Sequence, residues 1–136
     1  MRFPAKPMLL AGVLLLGPAF AHHSFEAEYD DKKPVTLTGV VVKLDWTNPH
    51  IWVHVDAKDD KGVQARWSCE GGNPNSLKRS GWLRDTLKAG DPVTLEGFRA
   101  KDGTNTCNAR SVKLANGKRV FAGSSYDTGK GGEGEK

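Results

Sequence analysis

Histidine is the residue type in this chain best suited to chemistry. All four histidines lie in the first half, at His22, His23, His50 and His54. An imidazole titrates near pH 6.5 and a free α-amine near pH 8, so near neutrality both can give up a proton and offer a nitrogen lone pair to a metal. If the chain is cut after Ala21, His22 becomes the first residue. Its amine and ring could then chelate one metal together, and His50 or His54 could add a second imidazole. Such a T-shaped, all-nitrogen set suits Cu(II) above other divalent ions. In a variant of this scheme His23, at position two, binds through its ring, the amine and the amide nitrogen between them. A copper oxidant would further need an open copper position and a substrate surface. The opposing reading is that His22-His23 is a solvated polar end and His54 an ordinary cross-strand neighbour.

The cut itself is read from the first residues. Arg2 and Lys6 make a positive start, Met8 to Phe20 is largely apolar, and Ala19-Phe20-Ala21 places small residues where a signal peptidase inspects them. A spanning helix needs about 20 apolar residues, so this run reads as a removable leader rather than an anchor. No cysteine follows it to take a lipid. The expectation is a periplasmic or secreted protein, residues 22–136, with no stable membrane insertion after cleavage. That length allows one domain and one core. The formal charge is +4, partly from Arg2 and Lys6, and no basic run occurs. Scattered charge and export exclude nucleic acid as a partner.

Two cysteines remain, Cys69 and Cys107. In an oxidising compartment an even pair reads as a disulfide, closing a loop of about 38 residues. A thiolate metal site would call for C-x-x-C spacing or a third cysteine, and neither is present. The chain also lacks G-x-S-x-G, a phosphate loop, G-x-G-x-x-G and H-E-x-x-H, so no catalytic residue is assigned.

The elements that must position these residues are mostly strands. Val35 to Trp46 is rich in β-branched residues. In Ile51 to Lys58, the residues Ile51, Val53 and Val55 alternate with Trp52, His54 and Asp56. Val63 to Glu70 alternates again after the turn cluster Asp59 to Gly62, which predicts a hairpin with Trp67 and Cys69 facing inward. Asn73 can cap a short helix that Pro74 opens and Gly81 ends. Strands are expected over Asp91 to Ala100 and Asn105 to Leu114, and Asn116-Gly117 turns the chain into a short return strand. Three strands, a short helix and two more strands give the element order of an OB-fold, a five-stranded Greek-key barrel. "VTLTG" at Val35 to Gly39 and "VTLEG" at Val93 to Gly97 echo each other, as neighbouring first and fourth strands would. The rival is an open β-sandwich. Cys107 is out of parity with Val112 and Leu114, and a bulge between Cys107 and Val112 would reconcile them. The expected division is a leader over 1–21, an arm over 22–34, the barrel over 35–123 and a disordered tail over 124–136.

Within that frame "WTNPH" forms the bend between the first two strands. Trp46 and Trp52 flank it and could stack a ligand, or could simply cap the barrel end. Arg66, Glu70 and Arg99 could add polar contacts, or form a solvated strand face.

The motifs "HHSF" (His22 to Phe25), "WTNPHIW" (Trp46 to Trp52), "NPNSLKRSGW" (Asn73 to Trp82) and "NARSVKLANGKRVFAGSS" together resemble a family of small exported bacterial proteins known only as a domain of unknown function. The resemblance covers nearly all of residues 22–136. It implies a periplasmic OB-like barrel and no particular activity. It carries His22, His23, Trp46, Asn48 and His50 forward as candidate site residues. Cys69 and Cys107 depart from the family pattern together, as a paired substitution into a disulfide would. The function expected is a non-enzymatic binding module for a small molecule or another periplasmic protein, using Trp46, Asn48, His50 and Trp52. Copper binding through His22 with His50 or His54 is the alternative, and copper is the one cofactor considered.

Overall fold

A computed structural model describes residues 25–123. The expected leader over 1–21, His22, His23 and the expected tail over 124–136 lie outside the described residues. The chain runs α1 (Phe25–Glu28), β1 (Tyr29–Asp45), β2 (Trp52–Lys58), β3 (Gln64–Glu70), α2 (Pro74–Arg79), β4 (Pro92–Ala100), β5 (Thr106–Leu114) and β6 (Arg119–Phe121). The strand order is β3-β2-β1-β4-β5-β6, and a further pairing of β3 with β5 closes the first five strands into a ring. Every pairing is antiparallel except β3 with β5, which is parallel. This is the OB-like Greek-key barrel expected, with β6 added outside β5.

The echoing segments are paired on each other. Val35 lies opposite Gly97, Leu37 opposite Leu95, and Gly39 opposite Val93. Both glycines sit where a strand is flanked on both sides, Gly39 by Ala57 and Val93, and Gly97 by Val35 and Ala109. The backbones come so close there that a Cβ on Gly39 would lie 2.0 Å from the Asp56 carbonyl oxygen. One on Gly97 would lie 2.1 Å from that of Asn108. The glycines permit the tight curvature that closes a small barrel.

Alternation drives the core. Ile51, Val53, Val55, Trp67 and Cys69 are all buried, while Trp52, His54 and Asp56 face outward. The bulge expected in β5 is at Arg110. Ser111 pairs with Glu96 and Ala109 with Gly97, so one residue of β5 is left over. That single residue restores Val112 to the inside face that Cys107 and Ala109 share. Cys69 and Cys107 lie opposite each other in the β3–β5 pair, with Cα atoms 4.4 Å apart, and are disulfide-bonded. Asn73 caps α2 by accepting from the Asn75 amide, and Pro74 opens the helix. Leu77 and Trp82 are buried in the same core as the barrel residues. Trp82 Nε1 donates to the Phe121 carbonyl at 2.8 Å, which ties the segment after α2 to β6.

The strand expected from Val35 begins at Tyr29 instead, after a single helical turn. Pro34 reads in sequence as a strand boundary. Here Tyr29 pairs with Ala100 and Pro34 with Phe98, so residues 30–33 bulge outward and the proline falls at a break in the ladder. A proline is tolerated in a strand at such a break because no ladder hydrogen bond needs its missing N–H.

Candidate functional site

The "WTNPH" bend is held from below. Ile51 N–H donates to the Gly72 carbonyl, Gly71 N–H donates to the Ile51 carbonyl, and Asn73 Nδ2 donates to the Pro49 carbonyl at 3.3 Å. Thr47 Oγ1 donates to the His50 carbonyl. The Asn48–Pro49 peptide is cis. Trp46 is half-buried and packs on the core. Asn48 is exposed, and Trp52 is half-buried on the outer face.

His50 anchors the most organised part of this region. Its Nδ1 lies 2.5 Å from Glu70 Oε1, and Tyr29 Oη donates to Glu70 Oε2 at 2.5 Å. With the Tyr29 phenol donating to Oε2, Glu70 Oε1 is left to accept from the His50 Nδ1–H. Among the described residues nothing hydrogen-bonds to His50 Nε2, and the side chain is 33% exposed. Glu70 projects from the end of β3, directly opposite Trp52 of β2. Tyr29 comes from the start of β1, where its ring stacks on Phe25 at 5.7 Å, and Phe25 meets Phe98 edge-on. The short first helix and the head of β1 are thereby fastened to the outside of the barrel. Asn108, opposite both Glu70 and Phe98, is 7% exposed, and its Oδ1 has no hydrogen-bond partner among the described residues.

Burial, then the hydrogen bond and charge of Glu70, push the Tyr29 phenol far above its usual range. A phenol whose folded pKa is raised contributes stability that is present below its unfolded value near 10 and is lost as pH climbs past it. In a Tyr126→Phe protein, absorbance at 295 nm is expected to show no phenolate until the protein unfolds. Unfolding should become easier above about pH 10. A titration near pH 10 in the folded state would mean that Tyr29 is neither buried nor bonded to Glu70.

His54 is used differently. Its Nδ1 lies 2.8 Å from Ser68 Oγ and its Nε2 lies 2.9 Å from Asp45 Oδ2. These are the side-chain types of a hydrolytic triad, and the sequence motifs did not disclose them. Three different strands supply them, side by side on the outer face. A nucleophilic serine also needs donors aimed at an oxyanion. The Ser68 amide is already committed to the Asn105 carbonyl at 3.1 Å. The arrangement is a cross-strand ladder that ties β1, β2 and β3 together. The His54 hydrogen bond, and then Lys43, hold the Asp45 carboxyl below its ordinary range. The signal was available in the hairpin, because a turn over residues 59–62 sets His54 opposite Ser68.

The bend thus brings His50 together with Glu70 and Tyr29, and leaves His54 in a separate ladder. Arg66 pairs with Asp56, while Arg99 pairs with Asp59 and lies over the Trp67 ring. Both are engaged within the barrel. His22 and His23 lie outside the described residues. Among the described residues no group of three or more histidine, cysteine, aspartate and glutamate side chains could hold a metal.

A family model described as a family of unknown function, DUF6152, matches residues 11–109. The chain belongs to that family. No curated protein matches it, and no solved structure does. The DUF6152 match spans His22, His23, the whole bend, Tyr29, Glu70 and both cysteines. Among the described residues no helix is long and apolar enough to cross a membrane.

Proposed function

We propose that this DUF6152 protein is an exported, non-enzymatic binding protein whose working surface is the bend from Trp46 to Trp52. The observation that carries this is the His50–Glu70–Tyr29 network. It fixes an imidazole at the end of the barrel, next to Trp52, using groups from three separate elements. A solvated strand end would need no such support, whereas a recognition surface gains from side chains held in place before the ligand arrives. The outer face of the second and third strands is also where OB barrels take their ligands.

The ligand is a small molecule or a periplasmic partner protein. The test is to incubate the purified protein with a periplasmic extract and identify what co-purifies. A ligand retained by the wild type and by Arg66→Ala, but lost by His50→Ala and Trp52→Ala, is the expected result. A ligand retained by both bend variants would move the surface elsewhere on the barrel.

A second reading, copper binding through the mature N-terminus, is favoured by one observation. The element beginning at Phe25 is fastened to the carboxylate that holds His50. The His22 amine and ring would supply the remaining nitrogens. Untagged protein starting at His22 is then expected to bind one Cu(II), with a nitrogen-ligated EPR spectrum. The same protein with one glycine ahead of His22 should lose that binding. Identical binding by the two proteins would sink this reading.

A further inference from the structure

We propose that Trp52, with Asp45 on one side and Glu70 on the other, is a binding site for a guanidinium group, stacked on the indole and hydrogen-bonded by the carboxylates. The inference rests on the bend being the working surface, and it names the chemistry of what that surface takes.

Strand register builds the site. Asp45 lies opposite Trp52 in the β1–β2 pair, and Trp52 lies opposite Glu70 in the β2–β3 pair. Residues directly opposite on one face of a sheet have Cβ atoms about 5 Å apart. The half-buried indole is therefore bordered by a carboxylate on each side. The His54 hydrogen bond, and then Lys43, favour the ionised form of Asp45. A carboxylate offers about four lone-pair sites. His50 and Tyr29 use two of those on Glu70 and fix its direction, which leaves acceptor capacity beside the indole. Asn108 follows Glu70 in the same row, and its buried Oδ1 has no donor among the described residues. The row Asp45, Trp52, Glu70, Asn108 is thus rich in acceptors and short of donors.

The barrel makes this recognition once within itself. The Arg99 guanidinium lies over the Trp67 ring, 5.0 Å from its centroid, and pairs with Asp59 at 3.1 Å. Trp52 has the aromatic ring and the carboxylates, yet among the described residues no arginine or lysine stacks on it. Lys43 reaches Asp45 at 3.2 Å, but its side chain is 60% exposed. An exposed pair of that kind adds little stability, so an incoming group displaces it readily. A guanidinium fits better than an ammonium. It is planar, lies flat on an indole, and donates from its edges to two carboxylates at once. An anion would instead meet two negative charges across the ring.

The test titrates three capped amino acids, N-acetyl-arginine amide, N-acetyl-lysine amide and N-acetyl-citrulline amide, into isotopically labelled protein. Backbone amide shifts are followed by NMR. The arginine probe should move the amides of Asp45, Trp52 and Glu70 along a saturable curve. The uncharged citrulline probe should not, and the lysine probe should bind about 3-fold more weakly or worse. Trp52→Leu and Asp45→Asn should each weaken arginine binding by about 3-fold or more, and Arg66→Ala should leave it unchanged. If Trp52→Leu fails to fold, as judged by circular dichroism, the exposed Asp45→Asn carries the comparison alone. An arginine-bearing peptide bound much more tightly than the capped residue assigns the group to a partner protein. Equal affinity assigns it to a small molecule, and either result supports the site. No saturable shift with the arginine probe, equal shifts with citrulline, or binding unchanged in Asp45→Asn and Trp52→Leu overturns the inference. If an extract ligand still depends on His50 and Trp52 in that event, the bend remains the working surface. If no ligand depends on them, the reading beneath this inference falls with it.

Discussion

Gly97→Ala is expected to lower the unfolding free energy by about 3 kcal/mol or more, at the upper end of what overpacking does. The new Cβ would sit 2.1 Å from the Asn108 carbonyl oxygen and 3.0 Å from its carbon. These are backbone atoms of the next strand, so no side chain can rotate away to make room. Relief would require β4 to move off β5, yet β4 is also paired along β1. Closed rings transmit such a shift into every seam, because protein interiors are packed too densely to absorb it locally. The measurement is urea unfolding followed by tryptophan fluorescence. Gly39→Ala should behave alike, since its Cβ would meet the Asp56 carbonyl at 2.0 Å. A loss under about 1 kcal/mol in both variants would refute the register that brings these backbones together.

Removing the disulfide is the second large effect. The double variant Cys69→Ala/Cys107→Ala is expected to lose about 4 kcal/mol by the chain-entropy relation for a loop of 38 residues. For a domain of this size that corresponds to a fall in Tm of roughly 15–30 °C. Chain entropy is not the whole argument. The β3–β5 seam has three paired positions, Ser68 with Thr106, Cys69 with Cys107, and Glu70 with Asn108. It is parallel and short, so its backbone bonds alone hold the ring weakly. The residue next to the bridge is Glu70, which carries the His50 and Tyr29 contacts. The double variant should therefore also lower the pH at which the Tyr29 phenol ionises. Calorimetry reads the loss of stability, and the 295 nm titration in the Tyr126→Phe background reads the pH at which unfolding releases the phenol. A Tm within a few degrees of the wild type would mean that the seam closes without the bridge.

The barrel was legible because its signals are local or periodic. Alternation over Ile51 to Lys58 and Val63 to Glu70 needs only neighbouring residues to reveal a face, and the buried set agrees with it. Asn73 and Pro74 announce a helix start through their own conformational preferences, and α2 begins there. The parity of Cys107 against Val112 even required a bulge, which lies at Arg110. The start of β1 was not legible, because Pro34 looks like a boundary unless the outward loop of residues 30–33 is known.

The site divides along the same line. Sequence by itself determined the strand order, the inward and outward faces, the cysteine pair and the prominence of the bend, since each follows from spacing along one or two segments. Only the tertiary structure decided which partners those outward residues meet. Glu70 was one polar residue among several until ring closure set it beside Asn108 and brought Tyr29 over it. His50 and His54 were equivalent candidates until one was found with a single supporting carboxylate and the other with both nitrogens engaged. Glu70 and Tyr29 stand 41 positions apart. No periodicity encodes a contact at that range. It arises because a twisted sheet must close on itself to bury one face, and closure alone brings the head of the first strand against the end of the third.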